Sequence, residues 1–287
     1  MAFQSNPFQR SAMPEVVKNL LIINGLFYLA TFFLEKQGID LSDWLGLHYF
    51  QAPKFSPYQL VTYMFMHGGF WHIALNMFAL WMFGSVMENE WGPKRFLIYY
   101  FVCGVGAALV QNFVIFYELH PAITQINDYI ANPGFQQLQD LSNAEALRSF
   151  SSPQLAEHFN SFIEKFNSMY DNDHQAAIKL SVDYMSELRA DIFNAPLVVG
   201  ASGAVFGLLL AYGMTFPNNL IFIYGIIPLK AKYLVLLYGG FELYSGIRPN
   251  AGDNVAHFAH LGGLLFGLVL ILYWRNQSRN RFDSYNQ

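Results

Sequence analysis

Charge is what this 287-residue chain has least of: only 13% of its residues are Asp, Glu, Lys or Arg, against roughly 25% in a soluble globular protein. About half of the usual solvating surface is therefore missing, which points to segments surrounded by lipid rather than water. A single cysteine, Cys103, excludes an internal disulfide. It lies in an apolar run, where a buried, inert thiol is expected. The net charge of −4 is mild and no block of Lys or Arg occurs, so nucleic acid is not an expected partner. No internal repeat is visible, which argues against transporter folds built from duplicated halves. The N-terminus has no cleavable-signal pattern, because no small-residue cleavage site follows the apolar stretch behind Arg10 and Lys18.

What the chain has in abundance is apolar sequence: 54% hydrophobic, 17% aromatic, with a mean hydropathy of +0.25. Six stretches approach the ~20 residues that cross ~30 Å of hydrocarbon. They are about Asn19–Leu34, Phe70–Val86, Phe96–Tyr117, Pro196–Met214, Tyr233–Ser245 and Asn254–Trp274. Turn chemistry separates them at Gly92-Pro93, at 216–219 and at 248–252. The expected fold class is an all-α membrane protein, a bundle of six transmembrane helices with an extra-membrane helical insert between the third and fourth spans. The insert, 118–194, holds 11 acidic and 4 basic residues. Its apolar residues, such as Ala156, Phe159, Phe162, Ile163 and Phe166, are spaced for amphipathic helices. The expected organisation is an N-terminal segment 1–18, spans one to three within 19–117, the insert, spans four to six within 195–274, and a tail 275–287.

Orientation follows from the short loops. With the N-terminus inside, the inner side collects Arg10, Lys18, Lys94, Arg95, Lys230, Lys232, Arg275, Arg279 and Arg281, while the outer loops hold Lys36, Lys54 and Arg248. Nine against three fits the positive-inside rule. Both termini are expected in the cytoplasm of a multi-pass protein of the cell membrane, with the acidic insert outside.

Polar residues inside a membrane are costly unless partnered, and so mark functional positions. His67, His72 and Asn76 lie around the start of the second stretch, Ser202 near the start of the fourth, and His257 and His260 near the start of the sixth. All three starts face outward in this topology, which places Asn76, Ser202 and His260 in one layer roughly 3–10 Å deep. Gly203 and Gly207 follow Ser202, and Gly263 and Gly267 follow His260, as small-residue faces that let two helices pack closely. Such packing would bring Ser202 within hydrogen-bond reach of His260, the pairing that turns a weak hydroxyl into a nucleophile. His72 and Asn76, four residues apart, share one helix face and could donate to an oxyanion together with the Ser202 N–H.

Other readings of these residues are blander or do not fit. Among the five core histidines (His48, His67, His72, His257 and His260), the His67–His72 spacing does not put both on one helix face, and no carboxylate completes a zincin-like set, so no metal is expected. Ser202 lacks the second flanking glycine of a nucleophile elbow. His67 reads as structural, His257 as a packing or loop residue, and Glu242 as a hydrogen-bonded or solvated group near the outer end of the fifth stretch. Trp44, Trp71 and Trp91 read as interfacial anchors.

Three motifs then carry a resemblance: His72-Ile-Ala-Leu-Asn76, Gly200-Ala-Ser202-Gly203 and His260-Leu-Gly-Gly263-Leu-Leu-Phe-Gly267. In this order and in these stretches they resemble the pattern of the rhomboid family of intramembrane serine proteases. The flanking text Phe65-Met-His-Gly-Gly-Phe70 and Trp91-Gly-Pro-Lys-Arg-Phe96 is also rhomboid-like. The resemblance covers about Asn19–Tyr117 and Asn194–Trp274. It implies Ser202 as nucleophile and His260 as general base, a dyad without a carboxylate and without any cofactor. It further implies oxyanion binding by His72 and Asn76, Phe206 packing against the catalytic imidazole, and Gly200 and Gly203 as supporting residues. Transmembrane protein substrates and the lipid bilayer are the implied partners. A catalytically inactive relative that binds membrane clients is the alternative. Two features depart from the family pattern: Trp44 has no adjacent Arg, and the acidic insert is not part of the minimal core.

Overall fold

The chain is described here from a computed structural model, which covers residues 12–143, 153–223, 226–248 and 255–285. Arg10, Arg148, the Ala156 side chain and the turn at 249–252 fall outside the described residues. The principal helices are α1 (Glu15–Glu35), α2 (Phe70–Trp91), α3 (Pro93–Ala131), α4 (Phe135–Asn143), α5 (Pro153–Tyr170), α6 (His174–Asn194), α7 (Ser202–Thr215), α8 (Ala231–Ile247) and α9 (His257–Tyr285). Four of the described helices, α1, α2, α3 and α9, are long and apolar enough to cross a membrane. α7 and α8 are shorter, at 14 and 17 residues. An antiparallel hairpin, Leu220–Ile223 with Ile227–Lys230, links them.

The chain divides into two compact units. The first comprises residues 1–47, 56–112 and 198–287, and so contains α1, α2, α7, α8, α9 and the beginning of α3. Within it α7 is the central element: none of its residues is exposed, and Ala204, Leu208 and Ala211 are wholly buried. α1 and α8 are the opposite, with Ile22, Leu26, Phe33, Leu236, Phe241 and Ile247 exposed. An apolar surface of this extent is not tolerated in water; it is the surface of a helix bundle solvated by lipid.

Small residues decide how tightly α7 is held. A Cβ on Gly263 of α9 would collide with the backbone carbonyl oxygen of Gly203, so the two helices touch backbone to backbone. Gly207 leaves room for Cys103 of α3, whose thiol is buried and free, as expected. Hydrogen bonds pin the same layer. The Tyr99 hydroxyl donates to the Gly207 carbonyl at 2.8 Å, and the Tyr63 hydroxyl to the Gly104 carbonyl at 2.7 Å.

Glu88, near the end of α2, caps the start of α1. Its carboxylate accepts the Val16 N–H at 3.0 Å and the Val17 N–H at 2.8 Å. Pro14, the residue in the cap position, supplies no side-chain bond, so Glu88 satisfies donors that a helix start otherwise leaves orphaned. The start of α1 and the end of α2 therefore lie side by side. α2 also contains one π-helical turn, Leu80–Gly84, where Gly84 lets Val17 and Phe96 come close.

The second unit comprises residues 48–55 and 113–197 and is helical. The apolar run of α3 ends near Tyr117, yet the helix continues through Pro121 to Ala131. Phe162 and Phe166 of α5 are buried, as their spacing predicts, and Phe162 stacks on Tyr184 of α6 at 3.9 Å. Asp173 caps α6 by accepting the Ala176 N–H.

Candidate functional site

Hydropathy alone puts the start of the fourth stretch at Pro196, with Ser202 about a turn and a half inside it. The structure instead begins α7 at Ser202 itself. Gly200 breaks the run: its φ of +123° is a conformation that side-chain-bearing residues rarely adopt. Its N–H donates to the Tyr63 carbonyl at 2.9 Å. Ser202 thus stands at a helix N-terminus, where the first N–H groups have no intrahelical acceptor and the helix dipole favours negative charge.

His260, in the first turn of α9, meets this serine. Its Nε2 lies 2.8 Å from Ser202 Oγ. The Phe206 ring, one turn along α7, stacks on the imidazole with centroids 4.3 Å apart and an interplanar angle of 7°. His260 is 8% exposed and Ser202 is partly exposed.

The second histidine of the motif set borders the same loop. A Cβ on Gly200 would lie 2.7 Å from His72 Nε2, so only glycine lets the imidazole approach this closely. His72 Nδ1 accepts the Gly68 N–H at 3.3 Å. A neutral ring that accepts at Nδ1 carries its proton at Nε2, the nitrogen beside Gly200. Asn76 is less directly placed: its amide donates to the His72 carbonyl at 2.8 Å, within its own helix, and its buried Oδ1 has no hydrogen-bond partner among the described residues. Ser202, His260, Phe206, Gly200 and His72 are therefore brought together, with Gly203 at the backbone contact beneath them. Asn76 joins them only through its neighbour His72.

Two further residues lie beside these, Glu242 hydrogen-bonded as its sequence position allowed. Glu242 of α8 is 5% exposed, and its Oε2 lies 2.6 Å from His257 Nδ1 and 2.9 Å from His260 Nδ1. His257 therefore faces a carboxylate instead of merely packing. The signal available in the sequence was the isolation of Glu242, the one acidic residue in the fifth apolar stretch. Of the three tryptophans, Trp44 and Trp71 are exposed, whereas Trp91 packs on Tyr99 and Trp274.

Comparison with known proteins identifies the family. The rhomboid domain matches residues 54–120 and 166–277, more than half of the chain. Rhomboid-like protein 11, a chloroplastic protein of Arabidopsis thaliana, is 36% identical over 96 residues, 33% of this chain and 32% of that protein. Rhomboid protease GluP of Bacillus subtilis is 35% identical over 54 residues, 19% of this chain and 11% of its own length. An uncharacterized mitochondrial rhomboid protein of Schizosaccharomyces pombe is 22% identical over an alignment covering 96% of this chain and 68% of the relative. The match thus spans about a third of the length of the Arabidopsis relative. The fold and the comparisons define a multi-pass membrane protein built from packed apolar helices. The chain belongs to the rhomboid family.

Proposed function

We propose that this chain is an intramembrane serine endopeptidase that cleaves transmembrane segments of other membrane proteins. The observation that carries the reading is the contact of 2.8 Å between Ser202 Oγ and His260 Nε2 at the N-terminus of α7. Ser202 Oγ attacks the scissile carbonyl carbon while its proton passes to His260 Nε2. The oxyanion is stabilised by the free N–H groups at the start of α7 and by His72 Nε2–H, with Asn76 in support. Collapse of the tetrahedral intermediate breaks the C–N bond, and the leaving amine takes the proton from Nε2. Water then gives a proton to Nε2 as it attacks the acyl-enzyme, and that proton returns to Ser202 Oγ.

Six spans support this chemistry: α1, α2, the first part of α3, α7, α8 and α9. In the orientation with both termini in the cytoplasm, α7 begins on the outer side of the cell membrane and the insert lies outside. A 14-residue helix is about 21 Å long, against ~30 Å of hydrocarbon. If α7 ends at the inner face, Ser202 sits roughly 9 Å below the outer one. Water reaches that depth only through a protein-lined cavity, which the polar layer of His72, Ser202 and His260 suits.

The test is labelling of detergent-solubilised protein with a fluorescent fluorophosphonate, paired with cleavage of a transmembrane segment in liposomes. Labelling that disappears in both Ser202→Ala and His260→Ala is expected. Folded wild type that neither labels nor cleaves would leave a non-catalytic client binder as the reading to pursue.

A further inference from the structure

The geometry assigns Glu242 as the residue that orients the catalytic base: together with His257 it holds His260 in the tautomer that accepts the Ser202 proton. This inference rests on the proteolytic reading and replaces a two-residue dyad with a relay of Ser202, His260 and Glu242, braced by His257.

The contacts run in one direction. Glu242 Oε2 lies between two imidazoles, 2.6 Å from His257 Nδ1 and 2.9 Å from His260 Nδ1. All three residues are buried. A carboxylate in such surroundings accepts and does not donate, so the nitrogens facing it carry the protons. With the proton on Nδ1, His260 Nε2 has a bare lone pair, and it is this nitrogen that meets Ser202 Oγ at 2.8 Å. The contact to His257 has hydrogen-bond geometry; His260 Nδ1 lies 2.9 Å from the same oxygen without it and has no other hydrogen-bond partner among the described residues.

The same three groups could be read as a metal site, since their donor atoms lie within 4.8 Å of one another. In this structure the Glu242–His257 spacing is that of hydrogen bonding. Two ligands on a tetrahedral ion at about 2.0–2.1 Å are held roughly 3.3 Å apart, whereas Oε2 and His257 Nδ1 are at 2.6 Å, the separation of a direct charge-assisted hydrogen bond.

The chemical consequence falls on the charged state of the base. When Ser202 Oγ bonds to the carbonyl carbon and its proton moves to Nε2, His260 becomes a cation inside a shielded pocket. Glu242 supplies the opposing charge at the far nitrogen, already in place. The ionisable groups facing the ring are Glu242 from α8, His257 from its own helix and, across the serine, His72 from α2 with His67 behind it. Among the described residues facing the ring, only Glu242 is acidic. Glu242 is a positioning residue and does not touch substrate. His257 anchors it.

The deciding experiment compares wild type with Glu242→Gln and His257→Gln in liposome cleavage across pH. It is paired with nitrogen-15 NMR of histidine-labelled wild type and Ser202→Ala protein. A glutamine amide can donate to Nδ1 and favour the wrong tautomer, so Glu242→Gln should lower kcat by at least about 100-fold with KM within about two-fold. The acid limb of its pH profile should move to lower pH by about one unit, because the cation loses its counter-charge. His257→Gln should lose less. The spectra should show His260 protonated at Nδ1 and bare at Nε2.

Active wild type with an unmoved acid limb in Glu242→Gln overturns this inference and leaves the proteolytic reading intact. Inactive wild type overturns the proteolytic reading. The tautomer then still decides the role of Glu242, since a ring protonated at Nε2 sinks it. The spectra need no Glu242 variant, so a variant that fails to fold does not remove the test.

Discussion

The site depends on how closely α7 and α9 approach, and Gly263→Ala measures that dependence directly. The added methyl group would collide with the Gly203 carbonyl oxygen, a backbone atom that cannot rotate away. To restore an ordinary carbon–oxygen contact the helices must part by roughly 1–1.5 Å. His260 lies three residues before Gly263 on α9 and Ser202 one residue before Gly203 on α7, so the Ser202–His260 contact is levered by nearly the full displacement. A contact of 2.8 Å would open to about 4 Å, beyond hydrogen-bond range. Overpacking of this kind costs about 1–3 kcal/mol in stability, and an error of 1 Å in placing reacting groups can cost about 100-fold in rate. The expectation is a fluorophosphonate labelling rate reduced at least about 100-fold in protein that still folds. Gly25→Ala on α1 is the control, since its Cβ would meet nothing within 4 Å; its labelling should match wild type. Gly263→Ala that labels at the wild-type rate would refute the backbone-contact argument.

Two further substitutions separate stability from chemistry. Glu88→Ala removes a buried carboxylate that accepts two N–H groups at the start of α1. Thermal or denaturant unfolding should show a loss of about 2–3 kcal/mol, while the labelling rate of the remaining folded protein should be nearly unchanged. Equal stability would mean that water caps α1 as well as Glu88 does. Gly200→Ala forces a side chain into a φ of +123° and against the His72 ring. Its rate should fall about 10-fold or more through loss of oxyanion stabilisation, with substrate cleavage reporting the effect. A rate within two-fold of wild type would show that the loop relaxes without disturbing His72.

Much of the fold was legible because membrane burial imposes long, simple patterns. The apolar stretches, the turns between them and the small-residue faces are local features, and they identified α1, α2, α3, α8 and α9 within a few residues at most ends. The departures include the end of α9, which runs past Trp274 to Tyr285, and two boundaries that were not local. Val198-Val199-Gly200-Ala201 reads as the beginning of a span, but the chain there is bent by the backbone of Gly200, and hydropathy does not register a dihedral angle. At the end of α3 the apolar run stops near Tyr117, while the helix runs on through Pro121. Polarity marks a change of surroundings, and helix formation does not require apolar surroundings.

By itself the sequence determined that this is a membrane-embedded helical chain of the rhomboid type, and that Ser202 and His260 lie on glycine-faced helices able to meet. Those conclusions rest on spacing along single helices, which a linear pattern carries completely. Only the tertiary structure decided which partners each polar group found. Glu242 reaches His257 and His260 because α8 is rotated to face the start of α9, while Asn76 bonds chiefly within α2. Rotation and approach of neighbouring helices are set by the summed packing of every small and large side chain between them. No single segment encodes that sum, and so the carboxylate beside His257 and His260 appears only once the helices are assembled.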